Sequence, residues 1–230
     1  MNELNNVDKD NNSNNINEQV DNQSNDTTEN DTKGSKIFDE FCDMMESVLF
    51  SIFTVILIFT FVFKVASVIG TSMQPTLEQD DKLIVSSTFY NNPQQKDIVI
   101  VNAKDAHLLE DTDNDGEVDD VVVGKGINKT IVKRIIAVEG QTVDIDFENG
   151  NVYIDGEVIN EPYIYDLTHE NNGAFEYPIT VPEGYVFVLG DHRSVSKDSR
   201  SSDIGLVPID DIVGKVVFRI SPLEKFGLLD

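Results

Sequence analysis

The sequence is poor in the residues on which disulfides, imidazole chemistry and nucleic-acid binding depend. It has a single cysteine, Cys42, so no disulfide can form within the chain. Only three of its 230 residues are histidines, and 17 lysines and arginines stand against 42 acidic residues. The resulting formal net charge of −25 repels phosphate backbones. We therefore expect no nucleic-acid partner.

The first 35 residues are rich in asparagine and almost free of apolar side chains. They contain eleven asparagines and carry a net charge of −6. A segment of this composition cannot bury enough apolar surface to offset the entropy that it would lose on ordering. We predict a disordered tail over residues 1–35. Residues 65–230 still carry about −17, so the rest of the chain is acidic in its own right.

A long apolar run follows the tail. Ser47 to Phe63 are 17 uncharged residues, near the lower limit of the ~17 to 25 that cross a bilayer as a helix. With its apolar flanks the run predicts one transmembrane helix over residues 44–66. A cleaved export signal is the alternative, but the acidic tail and the late start disfavour it. Too few basic residues flank the run for the positive-inside rule to fix its orientation.

After residue 66 the chain consists of short segments rich in valine and isoleucine, separated by turn residues. Such segments are typical of strands, and no comparable helical period is present. The soluble part, residues 67–230, is therefore predicted to be mostly β, as a folded-over sheet or a sandwich. The predicted strands are KLIVSS, DIVIVN, TIVKRIIAV, TVDID, NVYIDGEVI, YVFVLG and IVGKVVFRI.

An acidic insertion at residues 106–126 separates two of these strands. Three aspartates occupy alternate positions before Gly116, as in a calcium loop of the EF-hand kind: Asp111, Asp113 and Asp115. The twelfth position of that loop is Val122 instead of a glutamate, and no helices flank it. A solvated acidic loop is the favoured interpretation, and a weak calcium site, with Asp119 or Asp120 as a late ligand, is the alternative.

The segment GTSMQPTL, residues 70–77, offers a serine, Ser72, shortly after the apolar run. A serine becomes an effective nucleophile only when a base removes its proton. Histidine is the usual base, but no motif links the three histidines, His107, His169 and His192, to Ser72. A Ser-His-Asp triad is a spatial arrangement, so the sequence leaves it open.

Lysine is the other candidate base, and TIVKRIIAVEG contains Lys133. In a strand, Ile131, Lys133 and Ile135 share one face. A lysine with an unperturbed pKa of ~10.4 is neutral in only about one molecule in a thousand at neutral pH. Burial beside the two isoleucines would favour the neutral amine, whereas the neighbouring Arg134 stays charged and cannot act as a base.

A third polar segment, GDHRSVSKDSR at residues 190–200, follows a strongly apolar strand. Its aspartates and arginines can form charge-assisted pairs, and its serines can bind a nearby amine. Taken alone, the segment is equally consistent with a solvated turn.

Taken in order, these three segments resemble the serine, lysine and Gly-Asp-Asn-Arg boxes of type I signal peptidases. That family comprises membrane-anchored Ser/Lys endoproteases that remove export signals. The resemblance covers about residues 65–220, and the segment GNVYIDGEVINEPYI resembles the family's small second domain. A lysine instead of a histidine at the base position is similar to the bacterial members, and a single predicted span with a small second domain resembles the Gram-positive form.

The resemblance implies a role for several residues. Ser72 would be the nucleophile and Lys133 the general base, with Ser196 orienting the lysine amine. Asp198 and Arg200 would form a structural pair behind the site.

The same resemblance implies how the substrate carbonyl is held. The backbone N–H of Ser72 would stabilise the oxyanion, and Gly70 would allow the carbonyl to approach closely. Met73 would lie beside a pocket for a small side chain.

Two features depart from the family pattern. His192 stands where the family usually has asparagine, and we expect one hydrogen-bonding side chain to replace the other without disrupting the loop. The insertion at residues 106–126 is unusual, and we expect it to leave the site unaltered because it falls between strands, where loops tolerate added length.

The resemblance implies a folded-over antiparallel β-sheet catalytic domain, with a small β-rich subdomain at about residues 140–185. Its substrates would be secreted preproteins with small residues before the cut, hydrolysed without a metal or cofactor. The N-terminus would be cytoplasmic and the catalytic domain extracellular, with the bilayer as a second partner. A self-cleaving Ser/Lys repressor is one alternative, disfavoured by the acidic surface. An inactive membrane scaffold is the other, disfavoured by the presence of both Ser72 and Lys133.

Overall fold

The described part of the chain has one long helix followed by a domain of antiparallel strands, as the sequence predicts. The computed structural model describes residues 26–87, 90, 92–112 and 120–229, with side chains from residue 38 onward. The first 25 residues of the predicted disordered tail lie outside the described residues. The last ten residues of that tail belong to the helix instead, which begins at Asp26.

The helix, α1, extends from Asp26 to Val62. Its part from Phe38 to Val62 has a mean hydropathy of 2.2 and no buried residues, so it is long and apolar enough to cross a membrane. The helix ends four residues before the predicted limit of the span at residue 66. Residues 63–67 instead form a strand that pairs antiparallel with residues 82–86. Pairing between segments distant in sequence has overridden the local apolar pattern there.

The strands of the described residues form two sheets. The strands are β1 (Phe63–Ser67), β2 (Lys82–Ser86), β3 (Ile98–Glu110), β4 (Asp120–Val138), β5 (Thr142–Asp146), β6 (Asn151–Ile154), β7 (Glu157–Val158), β8 (Ile179–Thr180), β9 (Tyr185–Leu189), β10 (Val207–Pro208), β11 (Ile212–Ser221) and β12 (Gly227–Leu228). The main sheet has the order β1-β2-β11-β3-β4-β9-β10, with β12 paired to β11, and the smaller sheet has the order β7-β6-β5-β8. Two short 3-10 helices, Ile209–Asp211 and Leu223–Lys225, flank β11.

The smaller sheet lies within the segment expected to form a subdomain, about residues 140–185. Its apolar face joins a core cluster that also contains residues of β4 and β9 in the main sheet. Members of this cluster are Ile136, Val143, Ile145, Val152, Phe175 and Phe187. The smaller sheet is therefore packed onto the main sheet through a shared apolar core.

Most of the acidic insertion forms strands, not a solvated loop. β3 continues to Glu110 and β4 begins at Asp120, so that residues 105–110 pair with residues 120–125. Ala106, His107 and Leu109 are buried in this part of β3. The expectation of a solvated loop was wrong for these residues because they pair as strands and three of their side chains are buried.

The calcium hypothesis concerns the tip of this hairpin. Asp113 and Asp115 lie outside the described residues, whereas Asp111 is described. In the part of the chain that the structure describes, no group of three histidine, cysteine, aspartate or glutamate side chains is arranged to hold a metal ion. A calcium site at the tip stays a prediction.

A bulge marks the base of the hairpin. Between the pairs Ala103↔Lys129 and Asp105↔Lys125, β4 has two more residues than β3. Gly126 lies in this bulge, where a Cβ atom would lie 2.7 Å from the carbonyl oxygen of Lys104. Only a residue without a side chain fits there unless the backbone moves.

Gly126→Ala should therefore lower the free energy of unfolding by roughly 1 to 3 kcal/mol, as overpacking typically does. Gly124→Ala is the matched control, since a Cβ atom at Gly124 meets its nearest atoms at an ordinary 3.9 Å. Urea unfolding of the two variants and the wild type measures the difference. Equal stabilities for the two variants would contradict the clash.

Candidate active site

Ser72 and Lys133 meet at the middle of the main sheet although 61 residues separate them. The distance between Lys133 Nζ and Ser72 Oγ is 2.8 Å. Lys133 Nζ also donates a hydrogen bond to the carbonyl oxygen of Val132 at 3.0 Å. A serine hydroxyl within hydrogen-bond distance of an amine is the arrangement that general-base activation requires.

Two local features position the serine. Gly70 has φ +94°, a value that residues with side chains rarely adopt, and it begins the turn that leads to Ser72. Beyond the serine, Met73 and Leu77 are fully buried in a core cluster with Val68 and Leu83. The amide of Leu77 donates to the carbonyl oxygen of Met73 at 2.8 Å, which closes a tight turn. Ser72 is thus held between a glycine turn and two buried anchors.

The alternation of β4 positions the lysine as the sequence pattern predicts. Lys133 pairs with Val99 of β3 and is only 2% exposed. On the same face, Ile135 is fully buried and Ile131 partly buried in one core cluster. The amine therefore lies in apolar surroundings although the domain carries a large negative charge.

The environment of Lys133 lowers its pKa to about 8, chiefly because burial disfavours the charged amine. The carboxylates of Asp198 and Asp191 act in the opposite direction, and the Arg200 guanidinium acts in the same direction as burial. At neutral pH this raises the neutral fraction from about one molecule in a thousand to about one in ten.

Arg134, the residue after the lysine, connects three segments of the site. Its guanidinium donates to both carboxylate oxygens of Asp191, at 2.9 and 2.7 Å. Thr76 donates its hydroxyl to the same carboxylate at 2.5 Å and accepts from Arg134 at 3.3 Å. Tyr163 packs its ring 4.0 Å from the guanidinium carbon. The strand of the lysine, the turn of the serine and the polar segment are thereby tied together by charge-assisted bonds.

Sequence reasoning missed this network. It treated Arg134 only as a residue that cannot be a base, and Asp191 only as part of a polar cluster. The alternation of β4 was the available signal, since it directs an arginine and a lysine to opposite faces of a buried strand. A buried arginine requires an acidic partner, and Asp191 is that partner.

Asp198 and Arg200 form a second buried ion pair. Arg200 Nε donates to Asp198 Oδ1 at 2.9 Å, and the amide of Gly190 donates to Asp198 Oδ2 at 3.0 Å. Burial by itself would raise the pKa of Asp198, but the Arg200 guanidinium outweighs it and the pKa is lowered. The pair is charged at neutral pH and fixes the start and the end of the segment from Gly190 to Arg200.

Ser196 lies against Gly190. A Cβ atom at Gly190 would overlap Ser196 Oγ and lie 2.5 Å from the carbonyl oxygen of Ser72, so the segment fits only because residue 190 is glycine. The hydrogen bonds of Lys133 Nζ go to Ser72 and Val132 in this structure. The contact between Ser196 and the lysine amine that the resemblance implies stays a prediction.

The histidines are placed away from the serine hydroxyl. His192 donates its backbone N–H to the carbonyl oxygen of Ser72 at 3.0 Å, while its ring stacks on Tyr165 at 4.2 Å. The His107 ring packs near Tyr185, and His169 Nδ1 lies 3.1 Å from the carbonyl oxygen of Phe147. In the described part of the chain, the partner of Ser72 Oγ is therefore an amine.

Lys133→Met should raise the free energy of unfolding at about pH 7 by roughly 2 to 3 kcal/mol. The pKa of Lys133 is lower in the folded chain than the unfolded value of ~10.4, so a charged Lys133 destabilises the folded state. This cost is full below about pH 8 and disappears as the pH rises towards ~10.4. Urea unfolding at a series of pH values measures it.

Lys82→Met provides the control, because Lys82 is an exposed lysine of the same sheet. We expect a small, pH-independent change for that variant. A Lys133→Met variant that is no more stable than the wild type at neutral pH would contradict the cost assigned to the buried amine.

Comparison with known proteins shows the family to which the chain belongs. The model of the family described as "Signal peptidase, peptidase S26" matches residues 41–221. The probable signal peptidase I-1 of Synechocystis sp. is 37% identical over 160 residues, which are 69% of this chain and 71% of that protein. Signal peptidase IB of Staphylococcus aureus is 31% identical over 173 residues, which are 68% of this chain and 77% of that protein.

A solved structure is also similar to the chain. It is the crystal structure of a signal peptidase I from Enterococcus faecalis, with 25% identity and a TM-score of 0.36, covering 54% of this chain and 97% of that one. The matched residues of the family model include all three segments that meet at Ser72. The chain therefore belongs to the S26 family of signal peptidases.

Proposed function

We propose that the protein is a membrane-bound serine endopeptidase that removes N-terminal signal peptides from exported preproteins. Ser72 is the nucleophile and Lys133 the general base. The observation that carries this proposal is the 2.8 Å contact between the serine hydroxyl and an amine that is 2% exposed. Membership of the signal peptidase family supplies the class of substrate.

In the first step Ser72 Oγ attacks the carbonyl carbon of the scissile peptide, and its proton passes to Lys133 Nζ. The tetrahedral intermediate then collapses as the carbon–nitrogen bond breaks, and the Lys133 ammonium returns the proton to the leaving amine. An acyl-enzyme on Ser72 remains. In the second step a water molecule gives a proton to Lys133 and attacks the ester carbon. As the bond to Ser72 Oγ breaks, Lys133 returns the proton to that oxygen, and the signal peptide leaves with a new carboxyl group.

The turn before the nucleophile is suited to an oxyanion hole. The backbone N–H of Ser72 would donate to the developing negative charge on the substrate oxygen. Gly70 presents no side chain on the approach to this N–H, and nothing lies within 4 Å of where its Cβ would be. Met73, buried beside the serine, would line the pocket for a small side chain before the cut.

The segment from Gly190 to Arg200 would support the base. Ser196 is the candidate to orient the lysine amine during turnover, since its hydroxyl is buried and lies next to Gly190. Asp198 and Arg200 would not touch the substrate and would instead hold this segment in place. Their buried ion pair keeps the Asp198 charge compensated beside an amine that must be neutral.

The substrate would bind as an extended strand along an open edge of β4. Among the described residues, β4 pairs with β3 over residues 120–134, and its pairing with β9 begins only at Arg134. The second edge of β4 is therefore open next to Lys133. Main-chain bonds to such an edge give affinity, and shallow pockets for alternate side chains give a preference for Ala-x-Ala-like sequences.

The helix from Asp26 to Val62 would anchor the enzyme in the cell membrane, with the lipid bilayer as a partner. We infer a single-pass orientation with the N-terminus in the cytoplasm and the catalytic domain outside. This orientation suits a peptidase whose substrates emerge from the membrane on the outer side.

Ser72→Ala and Lys133→Ala should each reduce kcat on a purified preprotein by more than about a thousandfold. The nucleophile and the base act together, so the loss of either one stops the reaction. Mass spectrometry of the products reports both the activity and the cut site. Ser202→Ala and Lys129→Ala are matched controls, since both residues are exposed and Lys129 precedes Lys133 on β4. Retained cleavage in either catalytic variant would overturn the assignment.

The activity should follow the titration of Lys133. The neutral amine is the reactive form, so kcat/KM should increase with pH and level off above about pH 8, where the pKa of Lys133 lies. A pH profile of single-substrate kinetics in detergent measures the midpoint. A rate that is already maximal at about pH 6 would exclude this lysine as the base.

A further inference from the structure

The hairpin formed by the acidic insertion is in direct contact with residues 204–206, which follow the polar segment from Gly190 to Arg200. We call residues 105–110 of β3 and 120–125 of β4, which lie beyond the bulge, the distal hairpin. The sequence suggests that this insertion leaves the site unaltered. The contacts of its β3 residues indicate instead that the insertion is linked to the site.

The distal hairpin is fixed by its apolar side chains. Leu109 is buried in the cluster that joins the two sheets, together with Ile136, Phe175 and Leu206. Leu108 and Val121, from both strands of the hairpin, pack against the same cluster. The hairpin is therefore part of the core and moves only with it.

His107 joins the distal hairpin to the chain that follows the catalytic segment. Its amide donates to the carbonyl oxygen of Ile204 at 3.0 Å, and its carbonyl oxygen accepts from the amide of Leu206 at 2.7 Å. Gly205 lies between these bonds, opposite His107, with φ +64°. A Cβ atom at Gly205 would overlap the carbonyl oxygen of His107 and lie 2.9 Å from Leu108 Cδ2.

A short series of bonds leads from there to the site. The amides of Ile204 and Gly205 both donate to the carbonyl oxygen of Ser201 at 2.9 Å. The amide of Ser201 donates to the carbonyl oxygen of Asp198 at 2.8 Å. Asp198 in turn accepts a hydrogen bond from the amide of Gly190, and a Cβ atom at Gly190 would overlap Ser196 and the carbonyl oxygen of Ser72. Each step is a direct contact between buried groups.

We propose that the distal hairpin holds the segment from Gly190 to Ser201 in its catalytic position, with His107 and Gly205 as the positioning residues. This inference rests on the proposed roles of Ser72 and Lys133. Neither positioning residue touches the substrate. Both act through the placement of Ser196, Asp198 and Arg200 around the lysine.

A loosened contact has a predictable effect on the reaction. If residues 201–206 separate from His107, the segment behind Lys133 gains freedom and water reaches the amine. Burial is the chief cause of the lowered pKa of Lys133, so hydration favours the charged form. Turnover then requires a higher pH, while the substrate edge of β4 is unchanged.

Gly205→Ala in the full-length chain in detergent micelles is the direct test. We expect kcat to fall at least about tenfold with KM within about twofold, and the acidic limb of kcat/KM to move up by about half a pH unit. Gly124→Ala in the same hairpin is the control, because a Cβ atom there meets Ala106 at 3.9 Å. It should leave kcat and the pH profile unchanged.

Two replacements test the same inference without a clash. Replacing residues 112–119 by Asn-Gly keeps the contact at His107 and should keep the activity. Replacing residues 105–125 by Asn-Gly removes that contact and should reproduce the loss of kcat and the shift of the limb. If Gly205→Ala does not accumulate as folded protein, the replacement of residues 105–125 tests the positioning role in its place.

The outcomes separate the two proposals. A wild-type chain that cleaves no preprotein would refute the proposed function. A wild-type chain that cleaves, together with a folded Gly205→Ala variant whose melting temperature falls while kcat and the pH profile stay the same, would refute the positioning role alone. Unchanged kinetics after replacement of residues 105–125 would refute it as well.

Discussion

The site depends on a single amine that is kept out of water. Burial is the chief cause of the lowered pKa that suits Lys133 to its proposed role as the base, and two carboxylates nearby, Asp191 and Asp198, oppose this effect. Each carboxylate forms an ion pair with an arginine, Asp191 with Arg134 and Asp198 with Arg200. The Arg200 guanidinium acts in the same direction as burial, so it offsets part of the effect of these carboxylates on the pKa of Lys133. The two ion pairs also tie the strand of the lysine to the turn of the serine and to the segment from Gly190 to Arg200.

Much of the fold follows from local patterns in the sequence. Short segments rich in valine and isoleucine predict the strands well, because period-two alternation and turn residues are local signals. The alternation of β4 also predicts that Lys133 shares a face with Ile131 and Ile135. Burial of the lysine is thus readable before any tertiary contact is known. The position of Ser72 beside it is not, and was implied only by resemblance to a family.

The parts that the sequence does not predict are those decided by partners far along the chain. Residues 63–67 continue an apolar run, yet they pair with β2 instead of extending the helix. The charged residues of the insertion at residues 106–126 suggest a solvated loop. Leu109 and His107 instead bind the hairpin that it forms to the rest of the domain. The link between Thr76, Asp191 and Arg134 joins three distant segments. No local pattern encodes such choices.

The network that joins Thr76, Asp191 and Arg134 also affects the chain before it has folded. Its members are separated by 58 and 57 residues, so it forms only when segments distant in sequence have come together. Until then Ser72 and Lys133, the proposed nucleophile and base, are apart, and the amine is hydrated and charged. Under the proposed mechanism, a newly made copy therefore has no peptidase activity until its own sheet has folded.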